Sequence, residues 1–187
     1  LAVLYFLAQK TGKPVKIVMS YAEELSASNP AHPTVITIRS GVKRDGRIVA
    51  RKLSAAHASG GYGALKSNSS LATWHYAGGQ YRIDNTDIEF LQIYTNTVPG
   101  GYYHSPGAVA TAFAVDCHTD ILAQELGMDP AEFRKKNFIA SERFPYTSAL
   151  GWEYDSGNYG AALDLAMHKI GYAELRREQA EKRQRGE

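Results

Sequence analysis

Apolar residues recur along the chain with two different periods, and the switches between them mark the elements. Leu1, Leu4, Tyr5 and Ala8 fall three and four apart, the spacing of one helix face. Gly12 and Pro14 end that helix, the first by tolerating a left-handed residue, the second by blocking continuation. Residues 15–19 are a short apolar run that predicts a strand. Ser20-Tyr21-Ala22-Glu23 is a capping-box arrangement opening a brief helical turn, and Asn29-Pro30-Ala31-His32-Pro33 reads as a stiff loop. Residues 34–42 and 48–58 alternate as strands, joined by Arg44-Asp45-Gly46-Arg47. Asp-Gly between β-rich runs predicts a hairpin, because its central residues must tolerate positive φ. Ser59-Gly60-Gly61-Tyr62-Gly63 breaks the strand pattern, and the polar residues 64–86 read mostly as loop.

Residues 87–96 form another strand, with Ile88 and Phe90 on one face and Leu91 and Ile93 on the other; this predicts a central, covered strand. The clearest helix spans 108–126, where Val109, Phe113, Cys117 and Ile121 at i+4 predict the buried stripe. Gly127 ends it, and Asp129-Pro130-Ala131-Glu132 starts the next with Asp at the N-cap, Pro at N1 and Glu at N3. Residues 141–158 are irregular, with Trp152 and Tyr154 packing a loop down. A last helix covers 161–185, with a break at Gly171 and a charged tail. Mixed strands and helices give the class as α+β (α/β mixed).

Composition narrows the possibilities. A chain of 187 residues with 44% hydrophobic positions suits a single domain with a real core. A net charge of +2 argues against nucleic acid as a partner. The single cysteine, Cys117, excludes an internal disulfide and fits a reducing, cytoplasmic setting. No apolar run approaches the roughly 20 residues of a membrane helix. The first residues read as the middle of a helix, without a methionine or a basic leader, so 1–187 is expected to be one domain-sized piece of a longer polypeptide.

Most of the candidate chemistry has a plain structural account. Gly100-Gly101 before a helix resembles a phosphate cradle, but neither G-x-x-x-x-G-K-[ST] nor G-x-G-x-x-G fits. Histidines at 32, 57, 75, 104, 118 and 168 show no close metal-ligand pairing, so zinc would need distant loops. Cys117 and His118 are helix neighbours pointing about 100° apart, which favours a small buried hydrophobe beside a helix-face histidine over a nucleophile and base. Asp116 and Asp120 at i+4 could act as acid and base if buried, and read more simply as solvated carboxylates. The basic C-terminal run is interleaved with Glu174, Glu178 and Glu181, a solvated helix face. One stretch keeps two readings open: "TNTVPGGYYHSPGAVATAF", residues 95–113. Its glycines and prolines either only shape a strand-to-helix turn, or they bare the backbone so that a flat polar ligand can lie against it.

Four stretches in order, "AQKTGKPVKIVMSYAEEL", "HPTVITIRSGVKRDGRIVARKL", "TNTVPGGYYHSPGA" and "ILAQELGMDPAEFRKKNF", resemble the large, molybdenum-cofactor-binding subunit of the xanthine dehydrogenase / aldehyde oxidase family. The third matches that family's T-N-x-x-P-x-x-x-[YF]-R-x-x-G loop in spacing. The resemblance is strongest over 1–140, leaving 141–187 as a loop plus C-terminal helix. It implies an α+β molybdopterin-binding domain whose loop residues Gly101, Tyr103, His104, Ser105 and Gly107 lie against the pterin of a molybdenum–molybdopterin cofactor. The family's arginine is here His104, which is shorter and cannot fork to two acceptors. In carbon monoxide dehydrogenases the next position is a copper-bound cysteine, so Ser105 argues against that chemistry. The resemblance further implies hydroxylation of an aldehyde or heteroaromatic substrate with water-derived oxygen. It places iron–sulfur and FAD groups on partner domains or subunits, and the general base in a part of the sequence other than this one. The alternative is a non-catalytic domain that keeps the fold and binds a partner or small ligand without molybdenum.

Overall fold

The computed structural model describes residues 2–62, 73–102, 104–105 and 107–186. Its organising element is the hairpin expected from Asp45-Gly46. Strand β1 (Thr34–Val42) pairs antiparallel with β2 (Ile48–Gly60), from Thr34 opposite His57 to Val42 opposite Ile48. Gly46 takes φ +87° at the turn, its N–H donating to Lys43 O at 2.8 Å, while the Arg47 N–H donates to the Asp45 carboxylate at 3.0 Å. Strand β3 (Asn85–Tyr94) then adds in parallel to the other edge of β2, from Asn85 opposite Ala50 to Tyr94 opposite Gly60.

The sheet order is therefore β1-β2-β3, and β3 is an edge strand rather than the central, covered one expected from its composition. Leu91 and Ile93 stand 49% and 48% exposed on its outer face, while Ile88 and Phe90 pack inward. The covered strand is β2, whose inward residues Arg51, Leu53, Ala55, His57 and Ser59 are all buried. A strand paired on both edges needs no apolar outer face to be central. Its ladder already satisfies its backbone.

Helix α4 (Ala108–Glu125) covers the inner face of the sheet, with the short α3 (Thr73–Tyr76) beside it. Its buried positions are Ala108, Thr111, Val115, Thr119 and Ala123. The expected stripe lies two positions from this row, on the opposite side of the helix, and faces out: Val109, Phe113 and Ile121 are 62%, 72% and 54% exposed, and Cys117 is exposed as well. The reason is local. Thr111 donates to Gly107 O at 2.9 Å and Thr119 to Val115 O at 2.7 Å, so their hydroxyls are satisfied within the helix and the small side chains admit close approach to the sheet.

Two buried polar side chains hold the remaining pieces to this frame. Arg51, 1% exposed, donates from Nη1 to Ala77 O at 3.0 Å and from Nε to Ser40 at 3.3 Å, with its guanidinium 5.8 Å from the Tyr81 ring. Burial pushes its pKa down to about 10. Around it the polar 73–84 stretch yields Ala77, Tyr81 and Ile83 to the core. The second is Asn137, at the end of α5 (Pro130–Asn137). Its Oδ1 accepts from Ile48 N at 2.8 Å, and its Nδ2 donates to Gly46 O and Phe133 O, both at 2.8 Å. Helix α5 starts as expected, with the Asp129 side chain accepting from Ala131 N and Glu132 N.

The periphery is lightly packed. Helix α1 (Ala2–Thr11) and α2 (Tyr21–Ala27), the latter with its capping box formed, contain no buried residue. Residues 15–19 pair with no strand among the described residues, and Ile17 and Val18 are 52% and 72% exposed. A 3-10 turn (Ser141–Arg143) leads to a two-stranded ribbon, β4 (Tyr146–Thr147) and β5 (Glu153–Tyr154). Trp152 stacks on His75 at 4.0 Å there, and Tyr154 donates to Gly79 O at 2.7 Å. Gly171, at φ +65°, divides the last helix into α6 (Tyr159–Ile170) and α7 (Tyr172–Gln184). Among the described residues, no helix is long and apolar enough to cross a membrane.

Asn137→Ala strips three partners from the hairpin and α5 at once. It is expected to cost about 3 kcal/mol in urea unfolding, because a buried N–H and two carbonyls lose their partner, and to speed hydrogen exchange at the Ile48 amide. A change below about 1 kcal/mol would contradict this account.

Candidate functional site

Residues 95–101 lie across the end of β2 opposite the hairpin, held by four backbone hydrogen bonds to two segments. Thr95 N donates to Gly60 O at 3.2 Å, Gly61 N to Thr97 O at 3.0 Å, Gly100 N to Ser59 O at 3.3 Å, and Gly101 N to Pro30 O at 3.0 Å. Two glycines are required by contact. Gly60 has φ +75°, and a Cβ there would sit 2.5 Å from Pro99 Cα and Val98 O; a Cβ on Gly100 would sit 2.2 Å from His32 Nδ1. The loop is thus pressed onto the strand end and onto a histidine ring.

Beyond Gly101 the backbone turns sharply. His104 and Ser105 take φ +40° and +52°, a left-handed conformation in two successive non-glycine residues, and Gly107 follows at +73°. Such strain persists only where surroundings impose it, and it clusters at ligand sites. Gly107 is the N-cap of α4 and offers no side-chain cap, while Ala108 N donates to Ser105 O at 3.1 Å. The turn delivers Gly101, His104, Ser105 and Gly107 to one cavity of about 330 Å³, so four of the five residues expected from sequence share a surface. The fifth, Tyr103, lies outside the described residues.

The sequence reasoning missed two further walls of that cavity, His32 and His57. His32 Nδ1 donates to Ala58 O at 3.1 Å, since a carbonyl only accepts; its Nε2 is buried and without a partner among the described residues, and in the neutral ring it carries the lone pair. The Thr34 hydroxyl gives its proton to His32 O at 2.9 Å, which makes His57 Nδ1, 3.0 Å from Thr34 Oγ1, the donor to that hydroxyl oxygen. His57 is 1% exposed, its ring 4.7 Å from Phe90 and 6.3 Å from His32. Burial, and secondarily His32, push its pKa down to about 4, so it is neutral at pH 7. A signal for His57 was present in the alternation: it shares the inward parity of β2 with Arg51, Leu53 and Ala55. Val109 and Phe113 close the cavity from the exposed stripe of α4.

The other candidates resolve as structure. Asp116 and Asp120 both pair with Arg134 of α5 and form no acid–base site. Cys117 is exposed rather than buried, and half-buried His118 turns to Ser40 at 3.0 Å.

Comparison with known proteins is consistent with this geometry. Residues 1–138 match the family described as molybdopterin cofactor-binding domain. The chain is 36% identical over 180 residues to the carbon monoxide dehydrogenase large chain of Afipia carboxidovorans, covering 92% of this chain and 22% of that protein. It is 34% identical over 131 residues to a probable xanthine dehydrogenase subunit of Bacillus subtilis, covering 70% and 18%. Among solved structures, the Cu,Mo-CO dehydrogenase in its carbon monoxide reduced state superposes with a TM-score of 0.82 at 33% identity, covering 100% of this chain and 24% of that one. Quinoline 2-oxidoreductase from Pseudomonas putida 86 also gives 0.82, at 26% identity, covering 98% and 24%. The chain spans between a fifth and a quarter of these structures, and about a fifth of the curated relatives.

The buried histidine beneath the loop has a pH signature. Folded His57 stays neutral, with a single ring proton, above about pH 4, whereas unfolded it takes a second proton at about 6.5, so the unfolded state binds more protons in between. Stability is full above 6.5 and falls as pH drops towards 4. The loss is on the order of 3 kcal/mol. Burial also lowers His118 and His75, so the comparison is with His57→Gln, whose acid limb in a urea series is expected to be flatter. An unchanged acid limb would refute the assignment.

Proposed function

The chain belongs to the molybdopterin cofactor-binding domain family, and we propose that it forms one wall of the cofactor site in the large subunit of a molybdenum-dependent oxidoreductase. One observation carries this reading: the strained turn at His104 and Ser105, flanked by Gly101 and Gly107, opens on a cavity of about 330 Å³. That volume lies at the small end of ligand pockets, as expected of one wall of a larger site. The residues present fit a pterin. Gly101 and Gly107 bring bare backbone to the cavity beside His104 and Ser105, and the buried, unpartnered Nε2 of His32 is a polar atom in the same wall. Gly101, Tyr103, His104, Ser105 and Gly107 would hold the group, chiefly through the main chain.

When bound, the molybdenum cofactor would supply the redox chemistry, adding water-derived oxygen to an aldehyde or heteroaromatic carbon. The chain's own part is to orient and to exclude water. Val109 and Phe113 form an apolar flank, and neutral His57 sets no positive charge against the site. His104 lacks the fork of the family arginine, so it cannot grip a substrate anion with two parallel bonds. Ser105 offers no thiolate for copper, which directs the reading away from carbon monoxide even though carbon monoxide dehydrogenase chains are among the relatives. Several relatives are named as one chain of a larger assembly, including the gamma subunit of the 6-hydroxypseudooxynicotine dehydrogenase complex of Paenarthrobacter nicotinovorans. We accordingly place iron–sulfur and flavin groups on partner domains or subunits, and the assembly in the cytoplasm. The exposed stripe Val109, Phe113 and Ile121 is assigned to burial against the rest of a longer polypeptide.

His104 in the arginine position favours the second reading, a domain that keeps the fold without molybdenum, and one measurement separates the two. Elemental mass spectrometry and oxidised-pterin fluorescence on the full-length native polypeptide are expected to find near-stoichiometric molybdenum and pterin. Finding neither would sink the enzyme reading. For the chain expressed alone, the exposed stripe predicts self-association in sedimentation experiments; a concentration-independent monomer would contradict the burial assigned to α4.

A further inference from the structure

At the hairpin end of β2, about 30 Å along the strand from His57, a second cavity of about 350 Å³ is ringed by Lys43, Arg47, Arg82, Lys136 and Arg143, with Asp84 as its one lining carboxylate. Asp84 pairs with Arg82 at 3.3 Å. Asp45 at the hairpin tip is the other acid in reach. The Arg47 N–H at 3.0 Å holds its carboxyl below the ordinary range, assisted by the charges of Lys136, Arg47 and Lys43. Five cations against two carboxylates leave an excess of three, in a chain whose whole excess is two. None of the ion pairs among the described residues uses Lys43, Arg47, Lys136 or Arg143.

The walls behind these charges are rigid. Asn137 ties the hairpin to α5 through Ile48 N and Gly46 O, Arg82 N donates to Asn137 O at 2.9 Å, and Asn85 donates to Val49 O at 3.0 Å. Small oxyanions are held by convergent backbone N–H groups, and here the N–H groups of Lys43, Arg47, Ile48, Arg82, Phe138 and Arg143 each donate within the chain. What remains is a fixed frame carrying cations on long stems from four separate segments, with Val49 and Phe138 exposing apolar surface between them. That arrangement suits spaced carboxylates on an extended chain, each paired by a guanidinium fork or an ammonium.

We propose that this cleft docks a carboxylate-rich segment of a partner chain. The inference rests on the reading of this chain as part of a multi-subunit large chain, and it gives that assembly a contact remote from the cofactor loop. Because the pairing is exposed, it steers association and weakens with salt.

The test uses the full-length polypeptide with its co-purifying subunits. Arg47→Glu combined with Lys136→Glu reverses two rim charges, and Lys169→Glu with Arg183→Glu makes the same change on α6 and α7. Subunit affinity is read by analytical ultracentrifugation at low and high salt, alongside molybdenum and pterin content. The cleft variant is expected to weaken association by about tenfold or more at low salt, to lose most of the salt dependence, and to keep its metal and pterin. The control is expected to match wild type. Unchanged affinity, an equal loss in the control, or a loss accompanied by release of molybdenum would each overturn the proposal. So would inorganic phosphate binding in calorimetry that the cleft variant abolishes while assembly persists, since the ligand would then be a small anion. A wild-type polypeptide that purifies alone overturns it whatever its cofactor content. One that purifies with partners but without molybdenum removes the cofactor reading and leaves the cleft to be judged by affinity.

Discussion

The structure depends on how a buried guanidinium is held. Arg51 sits on the inner face of the central strand at 1% exposure, where Nε and Nη1 meet acceptors inside the protein and Nη2 has none among the described residues. No carboxylate bonds to it among the described residues. Its partners are the carbonyls of Ala77 and Gly78, the Ser40 hydroxyl and the face of Tyr81. Those contacts explain why a polar stretch without periodicity wraps back under the sheet. It carries the carbonyls that a buried charge requires, and it brings Ala77, Tyr81 and Ile83 into the core with them. Asn137 does the same work for the hairpin, replacing missing ladder partners at Ile48 and Gly46.

Both anchors lie at one end of β2, and the loop of residues 95–101 lies at the other. This division puts a rigid base and the candidate site at opposite ends of one continuous strand. At the loop end, close contact replaces side-chain recognition. Gly60 and Gly100 let residues 98–100 rest directly on the strand end and on His32, and Gly101, His104, Ser105 and Gly107 line the cavity beyond.

The outer surfaces repeat the same polarity along the strands. On the uncovered face of the sheet, Val35, Ala56 and Leu91 are in register beside Ala58 and Ile93 near the loop, while Arg39, Lys52 and Asp87 are in register near the hairpin. The exposed stripe of α4 runs from the loop end, and the cationic cleft sits at the hairpin end. Apolar surface is thus gathered at the loop end of the sheet and positive charge at the hairpin end.

The sequence by itself determined the elements whose signals are local. The Asp45-Gly46 hairpin, the Ser20 capping box, the Asp129-Pro130 helix start and the break at Gly171 need only a few neighbouring residues. The loop motif also singled out residues that come together, since Gly101, His104, Ser105 and Gly107 share a cavity. The tertiary structure decided the rest, because burial depends on partners distant in sequence. Leu91 and Ile93 promised a covered strand, yet β3 took an edge because β2 already held the two-sided place. The stripe from Val109 to Ile121 was the more apolar face of α4. The helix buried Thr111 and Thr119 instead, since their hydroxyls bond back to the helix and their size lets it approach the sheet. His32 and His57 reach the loop only through the pairing of β1 with β2, a relation that no short stretch of sequence contains.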